Sequence, residues 1–345
     1  MKLPAASSIP DSGADFNLDQ TFVPMPDRSR ISLSLGVTLM FLGYWVAEPA
    51  IAHGEFQEKD HFWSMWQFTS AIALPLLLTL AVYFRGWWKR RRQKKPVSWT
   101  RTLVFLTGMG CFWVGLQSPI EPLSDHFLFI HQIEHLLLRV FGPLLTILGL
   151  PLGPMIQGLP RSARRYLLAP LTRSRVMQAL YGFLSHPIIA PFLFIATLIV
   201  WQIPALHDLA VRDPGLHDAM HLSMIVTGFF FWWLIADPRP QARLSYGMRL
   251  IVLWLVTIPN TLLGAYITLN KFPLYQVYDV LEGRWHIDRL MDQQLGGILI
   301  WGPGAMMGVV GTAVIFLLWL HKEERNHASL ESMASDSGSL PSGTR

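Results

Sequence analysis

Long apolar runs, separated by short polar segments, dominate the sequence from about residue 31 to residue 320. Several runs approach the roughly 20 residues that an α-helix needs to cross a bilayer. We therefore predict an all-α, polytopic integral membrane helix bundle with seven or eight transmembrane helices. The predicted spans cover about residues 31–52, 63–87, 103–117, 127–150, 186–204, 217–235, 250–269 and 291–320.

The two ends of the chain are polar. Residues 1–30 are rich in Pro, Ser and Asp, and we predict a disordered cytoplasmic tail or a signal leader there. The first span ends in Ala50-Ile51-Ala52, which resembles a signal-peptidase site, so the bundle has eight spans if this segment is retained and seven if it is removed. The predicted bundle covers residues 31–320. The Ser-rich residues 321–345 after it are predicted to form a second disordered cytoplasmic tail.

Basic loops alternate with loops poor in Lys and Arg. Residues 89–95 read KRRRQKK, and further arginines cluster at 161–175 and 239–243. Because cytoplasmic loops carry the excess of Lys and Arg, these segments are predicted to face the cytoplasm of a bacterial inner membrane. These basic loops, which set the topology and contact membrane lipid, account for the net charge of +5. It does not indicate a nucleic-acid partner.

Two histidine pairs stand at the heads of apolar runs. His131 and His135, and likewise His217 and His221, are four residues apart, which places both rings of a pair on one helix face. The predicted topology sets both pairs near the periplasmic ends of their spans. Imidazoles and carboxylates suit borderline transition metals, so we predict one metal site there. The candidate ligands are His131, His135, His217, His221, Asp292 and His207.

Two other residue types restrict this hypothesis. Cys111 is the one cysteine, which excludes an intrachain disulfide and a two-cysteine metal motif. Glu134 and His207 are predicted to accept hydrogen bonds that fix the histidine tautomers. Arg139 lies one turn deeper than His135, and a fixed cation there should weaken metal binding unless an anionic group neutralises it.

The residues around the histidines resemble a known family. His131-Gln132-Ile133-Glu134-His135, Leu216-His217 with His221-Leu222-Ser223, and Asp292-Gln293-Gln294 with Gly296-Gly297 are similar to the motifs of the multispan CtaG family of cytochrome c oxidase assembly factors. The similarity extends over about residues 50–320. It implies a factor that matures caa-type haem-copper oxidases, with oxidase subunits as partners and copper as the metal supplied. His131, His135, His217, His221 and Asp292 match the motifs, and His207 matches less specifically.

Three classes of function remain open from the residues alone. The first is a copper-binding assembly factor, which needs no turnover chemistry and so is not predicted to be an enzyme. The second is a haem-binding membrane protein with histidines from facing helices as axial ligands. The third is a ceramidase-like membrane zinc hydrolase, in which Ser118 and Asp125 could take part.

Overall fold

The structure is a computed structural model that describes residues 65–66, 68–237, 243–278 and 287–338. The predicted span at 31–52 and its signal-peptidase-like end lie outside the described residues. Within them the fold is all-helical and contains no strand. The helices are α1 (Ser70–Arg92), α2 (Trp99–Gln117), α3 (Ile120–Ser124), α4 (Leu128–Leu148), α5 (Leu152–Gly158), α6 (Ala169–Arg173, after a π-helical segment at Ala163–Leu168), α7 (Arg175–Leu184), α8 (Ile189–Trp201), α9 (Pro204–Arg212), α10 (Pro214–Ala236), α11 (Tyr246–Leu269) and α12 (Arg289–Gly338).

Five described helices are long and apolar enough to cross a membrane: α1, α4, α10, α11 and α12. The count becomes six if α7 and α8 together form one span. The predicted count of seven or eight is therefore not confirmed. Helix α2 forms over the third predicted span, but Arg101, Gln117 and several Thr and Gly residues make it less apolar than the five.

The fifth predicted span, at about 186–204, forms only a short helix, and the bent pair that could cross the membrane also includes the helix before it. Helix α8 has 13 residues, and α7 precedes it at an angle of 70°. Pro187 lies in the gap between them, where it lacks an N–H donor and disfavours the helical conformation of His186 before it. The proline therefore separates α7 from α8, and the chain changes direction between them.

Helix α12 is longer than its apolar run. It continues through residues predicted to form a disordered tail and ends at Gly338. Lys322, Glu323 and Glu324 come soon after the apolar segment, and both residue types have high helix propensity. A helical extension therefore follows the last span.

Helices α4 and α10 form the centre of the bundle. Buried positions make up 67% of the apolar segment of α4 and 72% of that of α10, against 28% in α1 and α12. The backbones of α4 and α10 meet at Gly228, where a Cβ atom would lie 2.6 Å from the Arg139 carbonyl oxygen. This close approach sets the two histidine-bearing helices side by side. The outer helices expose large apolar side chains, as lipid-facing surfaces do, among them Leu74, Leu78, Ile251, Leu255, Leu262 and Val309.

Candidate metal site

The first turns of α4 and α10 carry the two histidine pairs. Asp213 accepts a hydrogen bond from the Leu216 N–H at 2.8 Å, and Pro214 occupies the first helical position of α10. This Asp-Pro start is a favourable helix N-terminus, and it sets His217 and His221 in the first two turns. His131 and His135 occupy the corresponding part of α4.

The structure brings the two pairs together in the protein interior. All four rings are buried, with exposed fractions of at most 5%. The ring centroids of His131 and His217 are 5.2 Å apart, and those of His135 and His221 are 5.4 Å apart. The rings therefore face one another across the α4–α10 contact and do not point to lipid.

Four side chains offer ligand atoms that all lie within 4.8 Å of one another: His131, Glu134, His217 and His221. We call this group the His/Glu cluster. Glu134 is fully buried, and its Oε1 atom is 3.5 Å from Nδ1 of His221. From the sequence, Glu134 was expected only to orient the histidines. Its spacing of three residues from His131 already placed both on one helix face.

His135 lies at the edge of the His/Glu cluster. Its Nε2 atom is 2.8 Å from Nε2 of His131, so one of these nitrogens donates a hydrogen bond to the other. A metal ion bound by both nitrogens would replace that hydrogen bond, because a ligating nitrogen uses its lone pair for the metal. His135 can thus join the cluster only when this bond opens.

A hydrogen-bond chain fixes the tautomer of His131. Nδ1 of His207 donates to the Trp201 carbonyl at 2.9 Å, because a carbonyl can only accept. Burial lowers the pKa of His207 to about 4, so its ring is neutral and its Nε2 accepts from the Tyr278 hydroxyl. The Tyr278 oxygen then accepts from Nδ1 of His131 at 3.1 Å. Nε2 of His131 is consequently left with a lone pair, as metal ligation requires.

His207 therefore reaches the cluster through Tyr278. Its ring centroid is 5.1 Å from that of His131, but its two nitrogens bond to Trp201 and Tyr278. In the structure it orients His131 and does not belong to the His/Glu cluster. Sequence reasoning missed Tyr278, because it comes from the segment after α11 and no spacing rule links it to His131.

The Asp292 carboxylate contacts the backbone at the start of α4 and not the histidines, as a metal ligand would. Its Oδ2 and Oδ1 atoms accept hydrogen bonds from the Leu128 and Phe129 N–H groups at 2.8 and 3.1 Å. Phe127, at the N-cap of α4, has no side-chain acceptor, so a carboxylate from α12 caps the helix instead. Among the described residues, Asp292 is not one of the side chains gathered within 4.8 Å.

The structure gives Arg139 its partners. Its Nη1 atom donates to Asn260 Oδ1 at 3.3 Å, and Nη2 donates to the Phe194 carbonyl at 2.8 Å. The guanidinium carbon also lies 3.8 Å from the centroid of the Phe194 ring. Among the described residues no carboxylate forms an ion pair with it.

Ser118 and Asp125, the two residues considered for a hydrolase, have different surroundings. The Ser118 hydroxyl donates to the Val114 carbonyl within its own helix. Asp125 Oδ1 is 3.9 Å from Nδ1 of His217, beside the cluster. The geometry therefore places Asp125 beside a histidine, whereas the Ser118 hydroxyl is bonded to backbone.

Fold and site together define a class: a helical membrane protein with a buried His/Glu cluster suited to a transition-metal ion. Comparison with known families is more specific. Residues 81–322 match the family described as cytochrome c oxidase caa3 assembly factor, and the chain belongs to that family. This confirms the resemblance found in the motifs.

The curated relatives carry no assigned activity. The chain is 28% identical over 308 residues to Uncharacterized protein Mb0105 of Mycobacterium bovis, covering 86% of this chain and 44% of the relative. It is 25% identical over 295 residues to Uncharacterized protein ML1998 of Mycobacterium leprae, covering 83% and 43%. The chain thus spans less than half the length of these relatives. No solved structure matches it.

Proposed function

We propose that this protein accepts copper at the His/Glu cluster and passes it to a subunit of a haem-copper cytochrome c oxidase during assembly. One observation carries the proposal: ligand atoms of His131, Glu134, His217 and His221 lie within 4.8 Å of one another. The family supplies the oxidase context. Copper is cargo in this scheme, so the protein needs no catalytic turnover.

The donor set fits such a cargo. Three imidazoles and one carboxylate are ligands that copper and zinc both accept, and imidazole is inexpensive to bury because burial favours its neutral form. No thiolate takes part, since Cys111, the chain's one cysteine, is on α2. A site without thiolates releases a soft ion more readily, which delivery to another protein requires.

The charge distribution supports a periplasmic position for the cluster. The basic segment at 89–95 begins in the last turn of α1, and that at 161–175 comes after α4 and the short helix α5, whereas the histidines occupy the N-terminal turns of α4 and α10. Cytoplasmic basic loops would therefore place the cluster toward the opposite side of the inner membrane. Delivery would then occur at the periplasmic face.

The two other classes are less well supported. Ring centroids within the two histidine pairs and between them lie between 4.3 and 5.9 Å apart, and this packing leaves no slot for a flat porphyrin. The Ser118 hydroxyl donates to the Val114 carbonyl at the end of α2, so the geometry gives Ser118 no evident part in a hydrolase site. Zinc remains a competitor of copper for the same ligands.

Metal analysis of the detergent-purified protein tests the proposal. After loading with copper and washing, wild type should retain about one copper per chain, and His131→Ala and His217→Ala should each lose most of it. His321→Ala removes an exposed imidazole at the far end of α12 and should leave the copper content unchanged. Equal copper in wild type and both cluster variants, tightly held zinc, or a haem spectrum would reject copper delivery through this site.

A further inference from the structure

A second polar site adjoins the His/Glu cluster on the other side of α4. A cavity of about 30 Å³ lies between α4, α8, α11 and α12. Water needs roughly 10–15 Å³ by this measure, so the space suits one small ion or one to two waters. Its polar lining comes from Gln132, His135, Arg139 and Asn260, and the rest of its wall is largely aliphatic.

The polar atoms around this cavity are mainly donors. Gln132 Nε2, Arg139 Nε and His135 Nδ1 are all buried, and none has a hydrogen-bond partner among the described residues. The three side chains are spaced i, i+3 and i+7 along α4, so they share one face. Buried donors without acceptors are costly, and two of them, on Gln132 and Arg139, belong to side chains that line the same small space, whereas Nδ1 of His135 carries no proton while the His131–His135 hydrogen bond is in place.

Arg139 gives the lining of the cavity a positive charge. Arg139 is 5% exposed and forms no ion pair within the described part of the chain, although a buried charge is normally paired. The nearest acid on its own helix, Glu134, belongs to the His/Glu cluster and does not line the cavity. Water could satisfy the donors but would leave this charge uncompensated.

From these observations we propose that the cavity binds a small inorganic anion, of the size of chloride, between the Arg139 guanidinium and the Gln132 amide. A halide accepts several hydrogen bonds at once and neutralises the guanidinium. Larger anions, such as a carboxylate or a phosphate, exceed the space. The anion thereby supplies Arg139, a cation within the membrane-spanning part of α4, with a counter-ion that the described side chains do not supply.

The anion site and the His/Glu cluster share His135. With the His131–His135 hydrogen bond in place, Nε2 of His135 holds the proton and Nδ1 is bare. If His135 instead ligates a metal through Nε2, its proton moves to Nδ1, which then donates toward the cavity. This coupling rests on the proposed function: metal and anion should each tighten the binding of the other.

The anion site is tested on the full chain in detergent, without metal. We expect the Tm to rise by about 2–4 °C when sodium gluconate is replaced by sodium chloride at constant ionic strength. The rise should vanish in Arg139→Gln and persist in Arg212→Gln, which removes an exposed arginine. An equal chloride effect in Arg139→Gln, or none in wild type, would overturn the proposal and leave water in the cavity.

³⁵Cl NMR on the wild-type protein detects chloride binding directly, without relying on the stability of a variant. The ³⁵Cl NMR line of chloride should broaden with wild-type protein, sharpen when bromide is added, and broaden less with Gln132→Leu. Absence of broadening with folded wild type would refute anion binding whatever the metal data show. Metal-loaded protein that binds chloride no more tightly than metal-free protein would reject only the coupling through His135.

Discussion

At the scale of single residues, Glu134 has the largest consequence for metal binding. As a metal ligand it would supply the negative charge of the His/Glu cluster, and its carboxyl group is fully buried beside His221. A buried carboxylate stabilises a bound cation strongly, because water does not screen the attraction. Its replacement by an amide keeps the shape and removes the charge.

We therefore predict that Glu134→Gln lowers copper affinity by at least about 10-fold while the protein stays folded. Competition with a chelator of known affinity measures the change. Glu323→Gln, an exposed substitution on α12, serves as the control and should bind copper as wild type does. An unaltered affinity in Glu134→Gln would mean that the carboxylate does not contribute to the metal site.

Asp292 allows capping to be separated from ligation. Because its carboxylate accepts from the Leu128 and Phe129 N–H groups, Asp292→Ala should lower the free energy of unfolding by about 1 kcal/mol. Asp292→Asn keeps an acceptor oxygen and should cost less. Thermal unfolding and metal analysis of both variants measure the two roles. Loss of bound copper with unchanged stability would show that Asp292 is a ligand after all.

At the scale of helices, the approach of α4 and α10 decides whether the histidines can meet. A methyl group at Gly228 would collide with the Arg139 backbone carbonyl, and backbone cannot move aside as a flexible side chain can. The helices would have to separate, and the two histidine pairs with them. Packing and site geometry therefore depend on the same glycine.

Gly228→Ala should accordingly destabilise the protein by about 1–3 kcal/mol and weaken copper binding as well. Gly110→Ala is the matched control: it also lies within a helix, but a Cβ atom there meets nothing within 4 Å. That change should be neutral or stabilising by up to about 1 kcal/mol. Thermal unfolding compares the two, and equal behaviour would contradict the close α4–α10 contact as the cause.

At the scale of the whole molecule, the orientation in the membrane can be tested because the chain has one cysteine. In a Cys111→Ser background, Arg212→Cys lies at the end of α9 that precedes the histidines of α10, and Arg161→Cys lies in a basic loop. A membrane-impermeant thiol reagent should label Arg212→Cys in intact spheroplasts. Arg161→Cys should react only after permeabilisation, and the reverse pattern would invert the proposed topology.

Much of this architecture was predictable from local sequence. Apolar run length identifies the membrane helices, and four-residue spacing sets both rings of each histidine pair on one face. The count of spans was not predictable in the same way, because α2 has intermediate composition and because α8 passes for a span only together with α7, from which Pro187 separates it by a bend of 70°. Length and composition do not report such a bend.

The sequence by itself determined that this is a helical membrane protein, which histidines share a helix face, and which family the motifs belong to, because these depend on spacing and composition along one helix at a time. Only the tertiary structure decided that Glu134 faces His221, that Asp292 caps α4, and that Arg139 lies against Asn260 and Phe194. Those contacts join side chains from different helices. Their geometry follows from how the helices pack, which no local pattern encodes.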